Sequence, residues 1–419
     1  MTLISLFPFA RTLAARLTAL KPVPVQAVAP VIPNPSTPVD PDMPRLAVQI
    51  PVRDPEPAAQ DAARLRARGR FLARQEDWDQ LSLEIRRADN NRALTPGLHS
   101  QAAMMCEGAR QDITDAIVEG VARGDPLAVQ AAVASLDPLF TDLPDCPVIA
   151  HIVAMAHVEA ARAWRGTAMT TDLPPERHDA YTHHMAAAVR LNDRFDPFEH
   201  DTPLWALVRC AVLEADPQPH ARVADDFEDL IDLDPGNPHH MLDFGNALRP
   251  VRFGSWEILD AQARRTASRT ADIWGAGGYT WVYLGALVED QGAFRRLDVE
   301  LFVEGLHDIL ARQPSQVMAN RMAALIGYRL GGRTDEGSSR RRIADCFGWI
   351  VQDHLRELHP VIWAEAPARP SASSNAEIEI ERLGRERAMS TLTEFFTPAL
   401  DAGRRLAIGQ DDLRVIKGG

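Results

Sequence analysis

The chain has 419 residues, 46% of them apolar, and a formal net charge of −13. That length can bury a sizeable core, while an acidic surface repels phosphate backbones and argues against a nucleic-acid partner. Lysine occurs only at Lys21 and Lys417, so the body lacks the amine that phosphate-binding loops and Schiff-base chemistry require.

The chain opens with residues 1–21, which carry Arg11, Arg16 and Lys21 and no acid. On a helix starting near Pro8, the residues Phe9, Leu13, Leu17 and Leu20 share one face, with Arg11, Thr12 and Arg16 opposite. The two arginines interrupt the apolar region that a secretory signal needs, and no stretch approaches the ~20 apolar residues of a membrane span. This segment reads as an amphipathic helix, either frayed or docked on the body, or else docking a partner or lying weakly on a membrane surface. Residues 22–57 are dense in proline and are expected to form an extended, disordered linker.

From Ala58 onward, helical periodicity recurs between Pro and Gly punctuation, with no convincing strand. The pattern predicts helices over Ala58–Gln75, Asp77–Asn90, Ser100–Arg123, Leu127–Leu136, Val148–Arg165 and Glu176–Arg194. It continues through Leu204–Glu214, Arg222–Leu233, Met241–Leu248, Trp256–Ile273 and Thr280–Asp290. Asp298–Arg312, Val317–Leu330 and Arg340–Leu358 complete a body assigned to residues 58–366. A polar linker, 367–375, separates it from a C-terminal helix and loose tail, 376–419.

The fold class is therefore all-α. At Phe227 to Leu248 a helix stops at Asp234-Pro235-Gly236-Asn237-Pro238 and another begins at once. This stretch resembles a tetratricopeptide-type repeat, with Phe227 and Leu230 facing the partner helix and Gly245 admitting the next hairpin closely. A second, weaker match runs from Phe302 through Pro314 to Gly331. The resemblance implies stacked antiparallel helical hairpins, an α-solenoid whose groove receives a peptide or partner protein. Residues Arg249-Pro250-Val251-Arg252-Phe253-Gly254-Ser255-Trp256 also resemble a stretch opening a helix in an uncharacterised bacterial helical family. Physically, Ser255 is the expected N-cap.

Aromatic residues gather just beyond: Phe253, Trp256, Trp274, Tyr279, Trp281 and Tyr283. They form either a filled core layer or a binding groove, in which Arg249, Arg252, Arg264 and Arg265 would suit an acidic or carboxylate-bearing partner. The six aromatics with Arg249 and Arg252 are the candidate partner-binding set.

Other chemistries fare worse. Gly275, Gly277 and Gly278 lack the preceding strand of a dinucleotide site and read as a helix-ending turn. The pairs His178/His183, His178/His184 and His151/His157 miss the spacing of a metal pair on one helix face, and His239-His240 falls at a helix start where imidazoles are commonly exposed. Asp232 to Asn237 departs from a calcium loop, and Asp225, Asp226, Glu228, Asp229 and Asp232 read as a solvated helix face. Cys106, Cys146, Cys210 and Cys346 have no zinc spacing and fit a reducing, cytoplasmic setting. No cofactor or metal is expected. The function so read is a non-catalytic interaction scaffold; the alternative is an α/α-toroid hydrolase using paired carboxylates, with Glu289 and Asp290 as first suspects.

Overall fold

A computed structural model describes residues 48–53, 56–168, 170–332, 334–366, 376–409 and 413–417. The amphipathic segment 1–21, most of the proline-rich stretch and the linker 367–375 lie outside these residues. The described chain is all-α apart from one small sheet. None of its helices is long and apolar enough to cross a membrane.

The first helices are α1 (Pro57–Arg74), α2 (Trp78–Asn90), α3 (Gln101–Arg123), α4 (Pro126–Ala134), α5 (Asp137–Asp142) and α6 (Pro147–Arg165). Then follow α7 (Pro175–Asn192), α8 (Pro203–Val212), α9 (Pro219–Leu233), α10 (Pro238–Ala247), α11 (Trp256–Arg269) and α12 (Ala271–Trp274). The last are α13 (Gly277–Glu289), α14 (Val299–Arg312), α15 (Gln316–Ala323), α16 (Ser339–Trp349), α17 (Pro360–Glu365) and α18 (Ala376–Asp401).

Proline opens many of these helices, among them α1, α6, α8, α9, α10 and α17. At the first helical position its missing N–H costs nothing and its fixed φ suits the helix, so punctuation that closes one helix in the sequence starts the next. Side chains cap several helices as well, some of them proline-opened: Ser100, Asp125, Asn237, Ser255, Asp298 and Ser315 each accept a backbone N–H from the first turn. The expected cap at Ser255 is among them. Glu56 caps α1 through the Ala58 and Ala59 amides.

Packing proceeds mainly between neighbours along the chain: α1 on α3, α3 on α6, α6 on α7, α8 on α9, α10 and α11 on α13, α13 on α14, and α17 on α18. One apolar cluster fills the part around α6, a second the part from α9 onward, and Ala150, Trp205 and Val208 lie in a smaller cluster of α6, α7 and α8. Two close crossings use glycine pairs. A Cβ on Gly245 would overlap the Val282 carbonyl, and one on Gly285 the Leu242 carbonyl. Gly69 and Gly108 stand in the same relation to Met105 and Arg66. Each glycine rests on the carbonyl three residues before its partner, which brings α10 to α13 and α1 to α3 at backbone distance.

Three expectations are corrected. Strands do occur: β1 (Val48–Gln49) pairs parallel to β2 (Arg404–Ile408), which pairs antiparallel to β3 (Leu413–Lys417). The tail beyond Leu406 is therefore half of a hairpin. The end of the proline-rich stretch is also ordered, since Val52 bridges Leu358 and the Arg53 amide donates to the Leu358 carbonyl at 2.8 Å. Finally, α18 belongs to the body: Ala388, Leu392 and Phe396 join the same core as Phe244 and Trp281.

The early helices are tied to much later parts of the chain. Arg92 donates to the Leu233 carbonyl at 2.7 Å, Arg321 to the Gly97 carbonyl at 3.0 Å, and His359 lies 3.4 Å from Glu56.

Candidate anion-binding site

The eight candidate residues divide sharply. Trp274, Tyr279, Trp281 and Tyr283 are fully buried, so half of the expected partner-binding set is core. Helix α13 is buried on every side from Gly277 to Leu287, which places its aromatic rings inward whichever face they occupy. Trp274 donates its indole N–H to the Pro235 carbonyl at 2.8 Å, and the Tyr279 and Tyr283 hydroxyls meet Asp260 at 3.0 Å each. These are the satisfied polar tips of core aromatics.

Arg249, Arg252, Phe253 and Trp256 are only partly buried. The first three lie in the loop joining α10 to α11. Backbone bonds hold that loop: Arg252 N–H to the Arg249 carbonyl at 2.9 Å and Phe253 N–H to the Ala247 carbonyl at 3.1 Å. The Arg252 guanidinium sits 5.1 Å from the centre of the Phe253 ring. Val251 and Ile258 on either side are exposed, so the loop presents cationic and apolar groups together.

Arg252 does not stand alone. Its guanidinium lies 3.4 Å from the Glu214 carboxylate, which Arg162 also meets at 3.0 Å and Arg165 at 3.5 Å. Arg162 and Arg165 come from the last turn of α6, where the carbonyl end of the helix favours cations. Glu214 sits in the short 3-10 turn Leu213–Ala215 after α8, and the Tyr181 hydroxyl of α7 donates to its backbone carbonyl at 3.4 Å. The carboxylate is buried, with 8% of its side chain exposed, whereas the three arginines keep 28–40%. Burial, together with the neighbouring Arg162, Arg165 and Arg249, holds Arg252 below the ordinary guanidinium pKa despite Glu214. The buried Nε of Arg165 has no hydrogen-bond partner.

The contrast with the other ion-pair clusters is sharp. Along α9, Asp226 is held by Arg209 and Arg222, which also reach Asp229 and Asp216. Glu228 is held by Arg265 and Arg269, the latter also pairing with Asp232. Asp226 and Glu228 are thus buried and cross-linked, not part of a solvated face as expected. In those clusters carboxylates match or outnumber guanidinium groups. Around Glu214 three guanidinium groups share one.

Other expected sites resolve plainly. His240 is buried beside Asp234 at 3.2 Å, and His239 stacks on His99, so neither is the exposed imidazole expected at a helix start. His157 and His184 meet at 3.1 Å across α6 and α7, a pairing invisible to spacing within one helix. Among the described residues no group of three or more His, Cys, Asp or Glu could hold a metal ion. Glu289 is exposed, and Asp290 accepts the Gly292 amide at 2.8 Å as a cap. Gly275, with φ 59°, ends α12 as the expected turn.

Arg162, Arg165 and Glu214 did not emerge from the sequence. The two arginines, three apart near the end of an apolar helix, were the available signal. No family model matches the chain, and no curated protein or solved structure matches it.

Proposed function

We propose that this chain is a non-catalytic interaction protein whose helical hairpins stack as a tetratricopeptide-like α-solenoid in a cytoplasmic setting. The architecture is supported by the succession of neighbour-on-neighbour helices and by Gly245, which admits α13 against α10 as the repeat pattern requires. The face offered to a partner is the α10–α11 loop with the end of α6. The observation that carries this reading is the unbalanced arginine cluster on Glu214, beside exposed Val251 and half-buried Phe253, in a chain whose net charge is −13.

Arginine and aromatic groups at a partly desolvated surface are the usual anchors of a protein interface. Excess positive charge there selects an acidic segment and speeds its encounter, while the acidic remainder of the surface turns such a segment away elsewhere. An acidic peptide with one or two apolar residues matches both halves of the loop.

Affinity purification with the full chain and its Arg252→Glu variant, followed by mass spectrometry, tests this. Acidic partners recovered by the wild type and lost by the variant are expected. An identical set of bound proteins from both chains would refute the assignment of this face.

A further inference from the structure

Resting on that reading, we infer that the ligand group seated at Arg162, Arg165 and Arg252 is a phosphomonoester dianion. Three guanidinium groups meet one carboxylate, so two positive charges are left over. A phosphomonoester carries about −1.5 to −2 charges near neutral pH and three strong acceptor oxygens; a carboxylate carries one charge and two oxygens. The charge count matches the first.

The donors match as well. Arginine offers five N–H groups in a fixed fork suited to phosphate oxygens. Here Glu214 occupies only part of three such forks: Arg162 through its Nε and one terminal nitrogen, Arg165 and Arg252 through one terminal nitrogen each. Arg165 Nε is a buried donor without a hydrogen-bond partner, and Glu214 Oε2 beside it is a buried acceptor without one, so the cluster does not satisfy itself internally.

Position adds to the argument. The arginines come from two rigid supports, the end of α6 and a loop locked by its own backbone bonds, so the donors are held before any ligand arrives. Glu214 holds them apart from one another's repulsion while the site is empty and competes with the incoming anion. That makes it a gate on affinity.

The test is titration calorimetry on the full chain at pH 8 and low ionic strength, with inorganic phosphate as the first probe. Phosphate should bind, and acetate should bind about 10-fold more weakly or not at all, as expected when a second charge and a third acceptor are lost. Arg162→Gln and Arg252→Gln should each weaken phosphate by about 10-fold, the loss of one charge-assisted contact. Glu214→Gln should tighten it, an effect that a purely structural ion cluster would not give. Circular dichroism confirms that each variant folds.

Two further probes locate the phosphoryl source. A phosphoserine peptide binding more tightly than inorganic phosphate, with its unphosphorylated parent silent, places the group on a protein; equal affinities place it on a free small anion. Absence of phosphate heat through the millimolar range, or affinity unchanged in both arginine variants, overturns the inference. If phosphate fails while partner capture still depends on Arg252, the ligand is a carboxylate and the interaction reading stands. If both fail, the reading falls with it.

Discussion

Gly245 and Gly285 each rest on the other helix's backbone: a methyl group on Gly285 would overlap the Leu242 carbonyl, and one on Gly245 the Val282 carbonyl. Both atoms are backbone and cannot swing aside. Gly285→Ala must therefore part α10 from α13, and overpacking of this kind costs about 1–3 kcal/mol. Gly236→Ala, where nothing lies within 4 Å, should leave stability near that of the wild type. Thermal denaturation of the two variants side by side checks the contrast.

Trp281 separates core from surface in the aromatic cluster. It is fully buried and meets Trp274 edge-on with ring centres 5.8 Å apart. Trp281→Ala is expected to cost about 3–5 kcal/mol, as for other buried aromatic truncations. Phe253→Ala, at a half-buried ring, should lose far less stability and instead weaken partner capture. Urea midpoints for both variants decide the matter; equal losses would place Phe253 in the core too.

What the sequence revealed follows from how local each signal is. The Ser255 cap, the turn at Gly275 and the close approach at Gly245 depend on a few adjacent residues and were legible. For Tyr279, Trp281 and Tyr283 the sequence left core layer and groove both open, because an apolar helix buried all round has no outward face for periodicity to mark; the core reading is the one that holds. The Glu214 cluster draws on α6, the turn after α8 and the α10–α11 loop, and no spacing rule joins residues 162, 214 and 252. The acids of α9 looked solvated because their arginine partners lie on other helices, save Arg222. The strand at Val48 was hidden by the prolines around it.

The junction of Glu56 and His359 makes stability depend on pH from both sides. Burial opposes the charge on His359, yet the Glu56 carboxylate 3.4 Å away and the hydrogen-bonded Glu357 raise its pKa above the usual value; burial likewise opposes the Glu56 carboxylate, but His359 and the Ala58 and Ala59 amides lower it. A raised histidine contributes stability that is complete below its unfolded pKa of about 6.5 and lost as pH rises through its folded value. A lowered carboxylate contributes stability that is complete above about 4.3 and lost as pH falls through its folded value. The contribution should therefore be largest between about pH 4.5 and 6.5. Melting temperatures from pH 4 to 9 should show a decline above this window that is reduced in Glu56→Gln.

His157 and His184 set an acid limit. Burial, then the repulsion of neighbouring histidines, lowers both to about 4, with His183 facing each and Arg190 facing His157. The unfolded chain takes up protons at these imidazoles near pH 6.5, whereas the fold resists until about 4. Stability from the pair is thus complete above about pH 6.5 and drains away as pH falls towards 4. Replacing His157 by Gln should flatten the loss of urea resistance between pH 6.5 and 4.5. An equally steep loss in the variant would show that other groups govern acid unfolding.

The two-residue strand Val48–Gln49 covers one edge of β2, and β3 covers the other. A shortened chain beginning at Pro57 would lose that cover together with the Glu56 cap of α1. Its β2, with Leu406 and Ile408 in the core, would face solvent along an open ladder of amides and carbonyls. Such a trimmed protein invites strand exchange between copies, so it should elute from a sizing column with more dimer or aggregate than the full chain run beside it. Expression trials that spare residues 48–56 keep the β1 cover on β2 and the Glu56 cap on α1.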